Sequence, residues 1–197
     1  MASGTRSQTT DTSTSPTHHG EGASVLFVCL GNICRSPMAE GVFRHLTRFN
    51  TPHQHPAIAR IDSCGTGAYH AGSQPDPRTI LVLADKGGIT DYRHKARRIK
   101  VPTDFEEFDY ILAMDESNYV DLLEMGRRAV RKGVLSEALL KKVRLYGSFG
   151  GRAVDEVVED PWYDDGRDGF EVAFEQVERF GKGLLKRIET DAKRSID

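Results

Sequence analysis

The stretch "VLFVCLGNICRSPMAE", residues 25–40, decides the architecture. Val25 to Val28 is an unbroken apolar run, as expected of a central parallel strand covered on both faces. Beyond the loop, Met38, Ala39, Val42, Phe43, Leu46 and Phe49 recur at three- and four-residue spacing, which predicts a helix running to about Phe49. Pro37 suits its first turn, where the missing amide would have had no intrahelical partner. The segment is therefore strand, tight loop, helix. In open α/β sheets ligands sit beyond the carboxyl ends of the strands, and residues 29–35 occupy that place. A loop running into a helix N-terminus offers converging amides and the positive end of a dipole, which suits a dianion.

Outward from this unit, strand and helix patterns alternate. A second strand is expected near Ile58 to Ser63, and "PDPRTILVLADKGG" (75–88) reads as a helix stopped by Gly87 and Gly88. "FDYILAMDES" (108–117) supplies a third strand, "ESNYVDLLEMGRRAV" (116–130) a third helix and "KVRLYGS" (142–148) a fourth strand. Phe170, Ala173, Phe174, Val177, Phe180, Leu184 and Ile188 mark a long amphipathic helix. Gly181 and Gly183 weaken it, each costing up to about 1 kcal/mol relative to Ala. The alternation points to an α/β open sheet of about four mostly parallel strands flanked by helices.

The 197 residues suffice for one well-buried domain. Eleven of the first 24 residues are Ser or Thr, and Met1, Ala2 and Ala23 are the only apolar side chains among them apart from Pro16. Residues 1–23 are accordingly expected to be a disordered tail, and residues 24–197 a single domain. The formal net charge of -2 provides no global basic field for nucleic acid or membranes, so any anion site must be local. Three unevenly spaced cysteines and no apolar leader argue against a disulfide framework and for a reducing, cytoplasmic setting. No apolar run approaches the roughly 20 residues needed to cross a bilayer.

A thiolate, not a thiol, is the nucleophile. Cys29 in a ring of amides, beside Arg35 and the Ser36 hydroxyl, is placed where negative charge on sulfur is favoured. The planar fork of Arg35 can grip two phosphoryl oxygens at once. Gly31 and Asn32 tolerate positive φ and let the loop turn its amides inward. On spacing alone, Cys29 could equally be a packed small side chain.

"VLFVCLGNICRSPMAE" resembles the active-site segment of low-molecular-weight protein tyrosine phosphatases nearly residue for residue. "IDSCGTGAYHAG", "PDPRT", "HKARRI", "AMDESN" and "EDPWYDD" resemble further segments of that family in the same order, so that the resemblance spans about residues 25–188. It implies a three-layer, flavodoxin-like or Rossmann-like fold. It also implies metal-independent hydrolysis of protein phosphotyrosine and small aryl phosphates through a phosphocysteine, without a cofactor. Phosphate would be a competitive ligand.

By the same resemblance Cys29 is the nucleophile, and Arg35 binds phosphoryl oxygens with the loop Leu30, Gly31, Asn32, Ile33, Cys34, Arg35 and Ser36. His94 and Ser63 support the loop from behind. Glu159, Asp160, Asp164, Asp165 and Asp168 all offer a carboxyl for protonating the leaving group, and local physics does not choose among them. The resemblance selects Asp160. Tyr69, Trp162 and Tyr163 are candidate walls for a phenyl ring, with Trp162 standing where the family often has tyrosine. Cys34 resembles the family's resolving cysteine, able to trap oxidised Cys29 as a disulfide; Cys64 is expected to be structural.

Four alternatives are weaker. Thioredoxin-coupled arsenate reductases share the loop but need two further distal cysteines, and none follows Cys64. Protein-arginine phosphatases commonly have threonine where this chain has Ile33. A phosphate-binding module would not need the thiol. Zinc held by Cys29, Cys34, His53 and His55 lacks the paired ligand spacing. The Arg- and Lys-rich stretch 124–142 looks longer than the family's usual connection and reads as a solvated insertion.

Overall fold

A computed structural model describes residues 22–153, 156–163 and 166–194, with only the backbone of Tyr163. The expected tail, apart from its last residues, and the candidate acids Asp164 and Asp165 lie outside the described residues. Four strands, β1 (Ala23–Cys29), β2 (Ile58–Gly65), β3 (Tyr110–Ala113) and β4 (Val143–Leu145), form one sheet in the order β2-β1-β3-β4. Every pairing is parallel. β1 is central because its residues are apolar on both faces, and the chain reverses its winding direction between β1 and β3. A crevice opens there at the carboxyl ends.

Five helices cover the sheet: α1 (Arg35–Leu46), α2 (Pro77–Gly87), the short α3 (Thr103–Glu107), α4 (Glu116–Arg131) and α5 (Asp168–Arg194). Side chains alternate along β1. Val25, Phe27 and Cys29 enter the core shared with α1, α2 and α5, while Leu26 and Val28 enter the core shared with α3 and α4. That alternation makes the three layers. It also sends the Cys29 side chain to the α1 side, where the loop can enclose it.

α1 ends at Leu46, short of the expected Phe49. Thr47 Oγ1 donates to the Phe43 carbonyl at 2.8 Å, and Arg48 and Asn50 adopt positive φ of 50° and 59°. The helix therefore unwinds while Phe49 still packs on the core. The α5 glycines have a packing reason that periodicity hides. A Cβ on Gly183 would stand 1.5 Å from the Phe149 carbonyl oxygen. The stretch 124–142 comprises the end of α4, a short connection and the 3₁₀ helix Glu137–Lys142, whose Leu140 side chain lies against Gly126. Part of it is thus packed structure.

Candidate active site

β1 delivers Cys29 to the crevice, 3% exposed. Ser36 Oγ lies 3.0 Å from its Sγ, and the Asn32 amide donates to Sγ at 3.2 Å. Asn32 makes the loop's turn at φ 57° and then anchors it. Its Nδ2 donates to Ser36 Oγ and to Ser63 Oγ, both at 2.9 Å, and its Oδ1 accepts from the Arg97 amide and lies 2.9 Å from His94 Nε2.

Behind this layer stands Glu40, 2% exposed on α1. Its Oε2 accepts from Ser63 Oγ (2.7 Å) and Tyr92 OH (2.9 Å) and lies 3.3 Å from His94 Nδ1. Its Oε1 accepts from Arg44 Nη1 at 2.8 Å. Burial pushes the His94 imidazole below its usual range, and the facing Glu40 and Asp62 carboxylates only partly oppose that push. His94 and Ser63 thus stand where the sequence placed them, behind the loop. Glu40 and Tyr92 were not anticipated.

Arg35, 3% exposed, spans two acids. Nη1 donates to Asp115 Oδ2 (2.5 Å) and to the Val158 carbonyl (3.2 Å), and Nη2 donates to Asp160 Oδ2 (2.9 Å). Burial works against the guanidinium charge, but the charges of Cys29, Asp115 and Asp160 outweigh it and hold Arg35 above the ordinary arginine range. Asp160 Oδ1 accepts from the Trp162 amide at 3.2 Å, which fixes the carboxyl at the start of the 3₁₀ turn Pro161–Tyr163. Asp115 caps α4 directly after β3, accepting from the Asn118 amide. Sequence reading passed over it, although an acid following a central strand at the switch point is a positional signal.

Cys29, Leu30, Gly31, Ile33, Cys34, Arg35, Tyr69, His70, Asp160 and Trp162 line a cleft of about 130 Å³. Tyr69 and Trp162 face it from two different loops, 80% and 45% exposed. The Tyr163 side chain lies outside the described residues. His70, also unanticipated, packs over Gly31, where a Cβ would meet its ring at 2.9 Å, and its ring centroid lies 6.0 Å from that of Trp162. The Arg78 guanidinium, held by Asp76, lies 5.8 Å from the Trp162 ring centroid.

The environments of the other two thiols favour the protonated form. Burial, reinforced by the Asp76 charge, raises the Cys34 thiol far above the usual range, and burial does the same to Cys64. Glu40, Asp62 and His94 stand close enough to share a cation. Their oxygens already accept from Ser63, Tyr92, Arg44 and Arg97, so hydrogen bonding accounts for the cluster.

The family model "Low molecular weight phosphotyrosine protein phosphatase" matches residues 24–194. The low molecular weight phosphotyrosine protein phosphatase of Schizosaccharomyces pombe is 43% identical over 171 residues, covering 83% of this chain and 96% of the relative. Among solved structures, the protein tyrosine phosphatase of Entamoeba histolytica with Hepes in its active site superposes with a TM-score of 0.70 at 32% identity, covering 86% of this chain and 99% of that one. A Drosophila arginine phosphatase gives a TM-score of 0.69 at 34% identity, covering 83% and 96%. With a buried cysteine and an arginine lining one cleft, a family model that matches residues 24–194 and a relative 43% identical, this chain belongs to the low molecular weight phosphotyrosine protein phosphatase family.

Proposed function

We propose that Cys29, Arg35 and Asp160 carry out the family's reaction in this chain, the hydrolysis of phosphotyrosine through a phosphocysteine. The observation that carries the assignment is the convergence of Cys29 and Arg35, from one loop, with Asp160, from a segment 125 residues further on, at one cleft. Cys29 sulfur attacks phosphorus, and the bond from phosphorus to the phenolic oxygen breaks as Asp160 gives that oxygen its proton. Water then attacks phosphorus, Asp160 takes a proton from it, and the sulfur–phosphorus bond breaks to release orthophosphate and regenerate the thiolate. Arg35 and the amides of Leu30 to Arg35 hold the equatorial oxygens as charge develops on them. Ser36 and Asn32 stabilise the departing sulfur through the contacts they already make.

The substrates are phosphotyrosine proteins or small aryl phosphates, with Tyr69 and Trp162 flanking the ring and free phosphate competing for the loop. Ile33 favours this over phosphoarginine, because it presents an aliphatic surface to the cleft. All three cysteines are free and buried, which supports a reducing cytoplasmic setting. Among the described residues no helix is long and apolar enough to cross a membrane. Cys34, in the same loop, acts as the resolving thiol when peroxide converts Cys29 to a sulfenic acid: the disulfide forms and water leaves.

The test is Cys29→Ser with a phosphopeptide panel. Wild type should hydrolyse phosphotyrosine and spare phosphoserine, phosphothreonine and phosphoarginine, while the variant should bind oxyanions without turnover. Undiminished turnover by Cys29→Ser would sink the mechanism, and preference for phosphoarginine would sink the substrate assignment.

A further inference from the structure

A second cavity lies away from the chemistry, at the opposite end of α1. It measures about 770 Å³ and opens between the last turn of α1, the loop after it and the segment around Ile89–Arg93. Arg44, Arg48 and Arg93 line it together with His45 and His53; Asp91 is the one carboxylate of the lining, and Arg44 is already paired with Glu40. Such a cation excess is local, because the chain as a whole carries -2. Complementing the negative end of the α1 dipole accounts for Arg44 and His45. It does not account for Arg93, which a distant segment brings to the same hollow.

Two details indicate a built cavity. Arg48 is held at φ 50°, a conformation that is uncommon for a non-glycine residue, and among the described residues no ion pair engages its side chain. Arg93 donates to the carbonyls of Thr90 and Tyr92 at its own turn, and among the described residues no acid pairs with it. The floor is partly apolar: Phe49, beneath the Arg44 guanidinium at 5.1 Å, and Tyr92. The volume falls in the range of small-molecule sites, about 300–1,000 Å³.

We propose that this cavity binds a small soluble anion carrying two or more phosphate groups, at a site separate from the catalytic cleft. Arginine forks match phosphate oxygens in pairs, and Arg48 and Arg93, with Arg44 at the margin already held by Glu40, exceed what one monoanion would need. The inference stands apart from the assignment of catalytic roles, since no residue is shared between the two sites.

The probe is inorganic tripolyphosphate, titrated calorimetrically into the full chain at low salt while Trp162 fluorescence is followed. As the chain's one tryptophan, Trp162 reports occupancy of the catalytic cleft alone. Wild type is expected to show a binding class that leaves Trp162 unchanged and that weakens as salt rises. The double variant Arg48→Asn, Arg93→Glu should weaken that class at least about tenfold while retaining the wild-type circular dichroism and turnover of p-nitrophenyl phosphate. Asn is chosen because it tolerates the left-handed backbone at 48. The proposal is overturned if all binding is reported by Trp162, or if the silent class survives the double variant with unchanged affinity. Arg93→Glu alone, on an exposed irregular segment, should give an intermediate weakening and guards against a folding defect at Arg48.

Discussion

Arg35 Nη1 is bound by Asp115, just beyond β3, while its Nη2 is bound by Asp160 from the segment before Trp162, so one guanidinium ties the sheet's switch point to that segment. The arginine proposed to hold phosphate is thereby fixed in orientation by the fold. Asp115 is a positioning residue, since it reaches the reaction only through Arg35.

Replacing Asp115 by Asn should lower kcat/KM by about 10–100-fold, the equivalent of about 1.5–3 kcal/mol for a hydrogen bond to a charged group. Inhibition by free phosphate should weaken in parallel, and Asp115→Glu should restore part of both. Steady-state kinetics with phosphate as inhibitor will decide; a loss of kcat with phosphate affinity intact would remove Asp115 from this role.

Asp160→Asn should depend on the leaving group. With phenols of high pKa the loss should reach about 10²–10⁴-fold, whereas p-nitrophenol, which departs without a proton, should show a much smaller loss. A series of substituted phenyl phosphates measures the contrast. Equal losses across the series would assign the proton to another carboxyl.

Mild peroxide followed by thiol should restore more activity to wild type than to Cys34→Ser, because the variant leaves the Cys29 sulfenic acid open to further oxidation. The raised pKa of Cys34 implies that disulfide closure speeds up as pH rises. Equal recovery of the two proteins would reject a protective bond.

His94 gives a pH dependence of stability. Its folded pKa lies below the unfolded value of about 6.5, so the unfolded chain takes up the proton first as pH falls. The stability it confers is complete above about 6.5 and is lost as pH falls through the folded value. His94→Gln should therefore reduce the difference in Tm between about pH 8 and about pH 5, by calorimetry. A difference as large as that of wild type would place the titration elsewhere.

How far the sequence could be read follows from what is contiguous. The loop from Cys29 to Ser36 was legible because strand, turn and helix start supply nearly the whole cradle in one stretch. Asp160 was not, since five carboxyls crowd residues 159–168 and only family likeness separated them. Glu40 carried a helix-face signal of ordinary polarity. Its burial appears only when β2 and residues 92–94 close over it. His70 reaches the site through loop folding, which no local pattern encodes, whereas Asp115 stood at a readable position, just after a central strand, whose partner Arg35 only the strand order reveals. Gly183 was read as a weakness of α5, and close approach to Phe149 reverses that reading.

Tyr69 and Trp162 line the cleft from two loops, whereas Cys29, Asn32, Ser36, Ser63, Glu40 and His94 are locked together by hydrogen bonds. The two walls are not equivalent: Trp162 donates its amide to Asp160, which in turn pairs with Arg35, while Tyr69 makes no such link among the described residues and is 80% exposed. Position 69 is therefore the wall at which new leaving-group specificities can be sought without disturbing the locked layer, and natural divergence can travel by the same path.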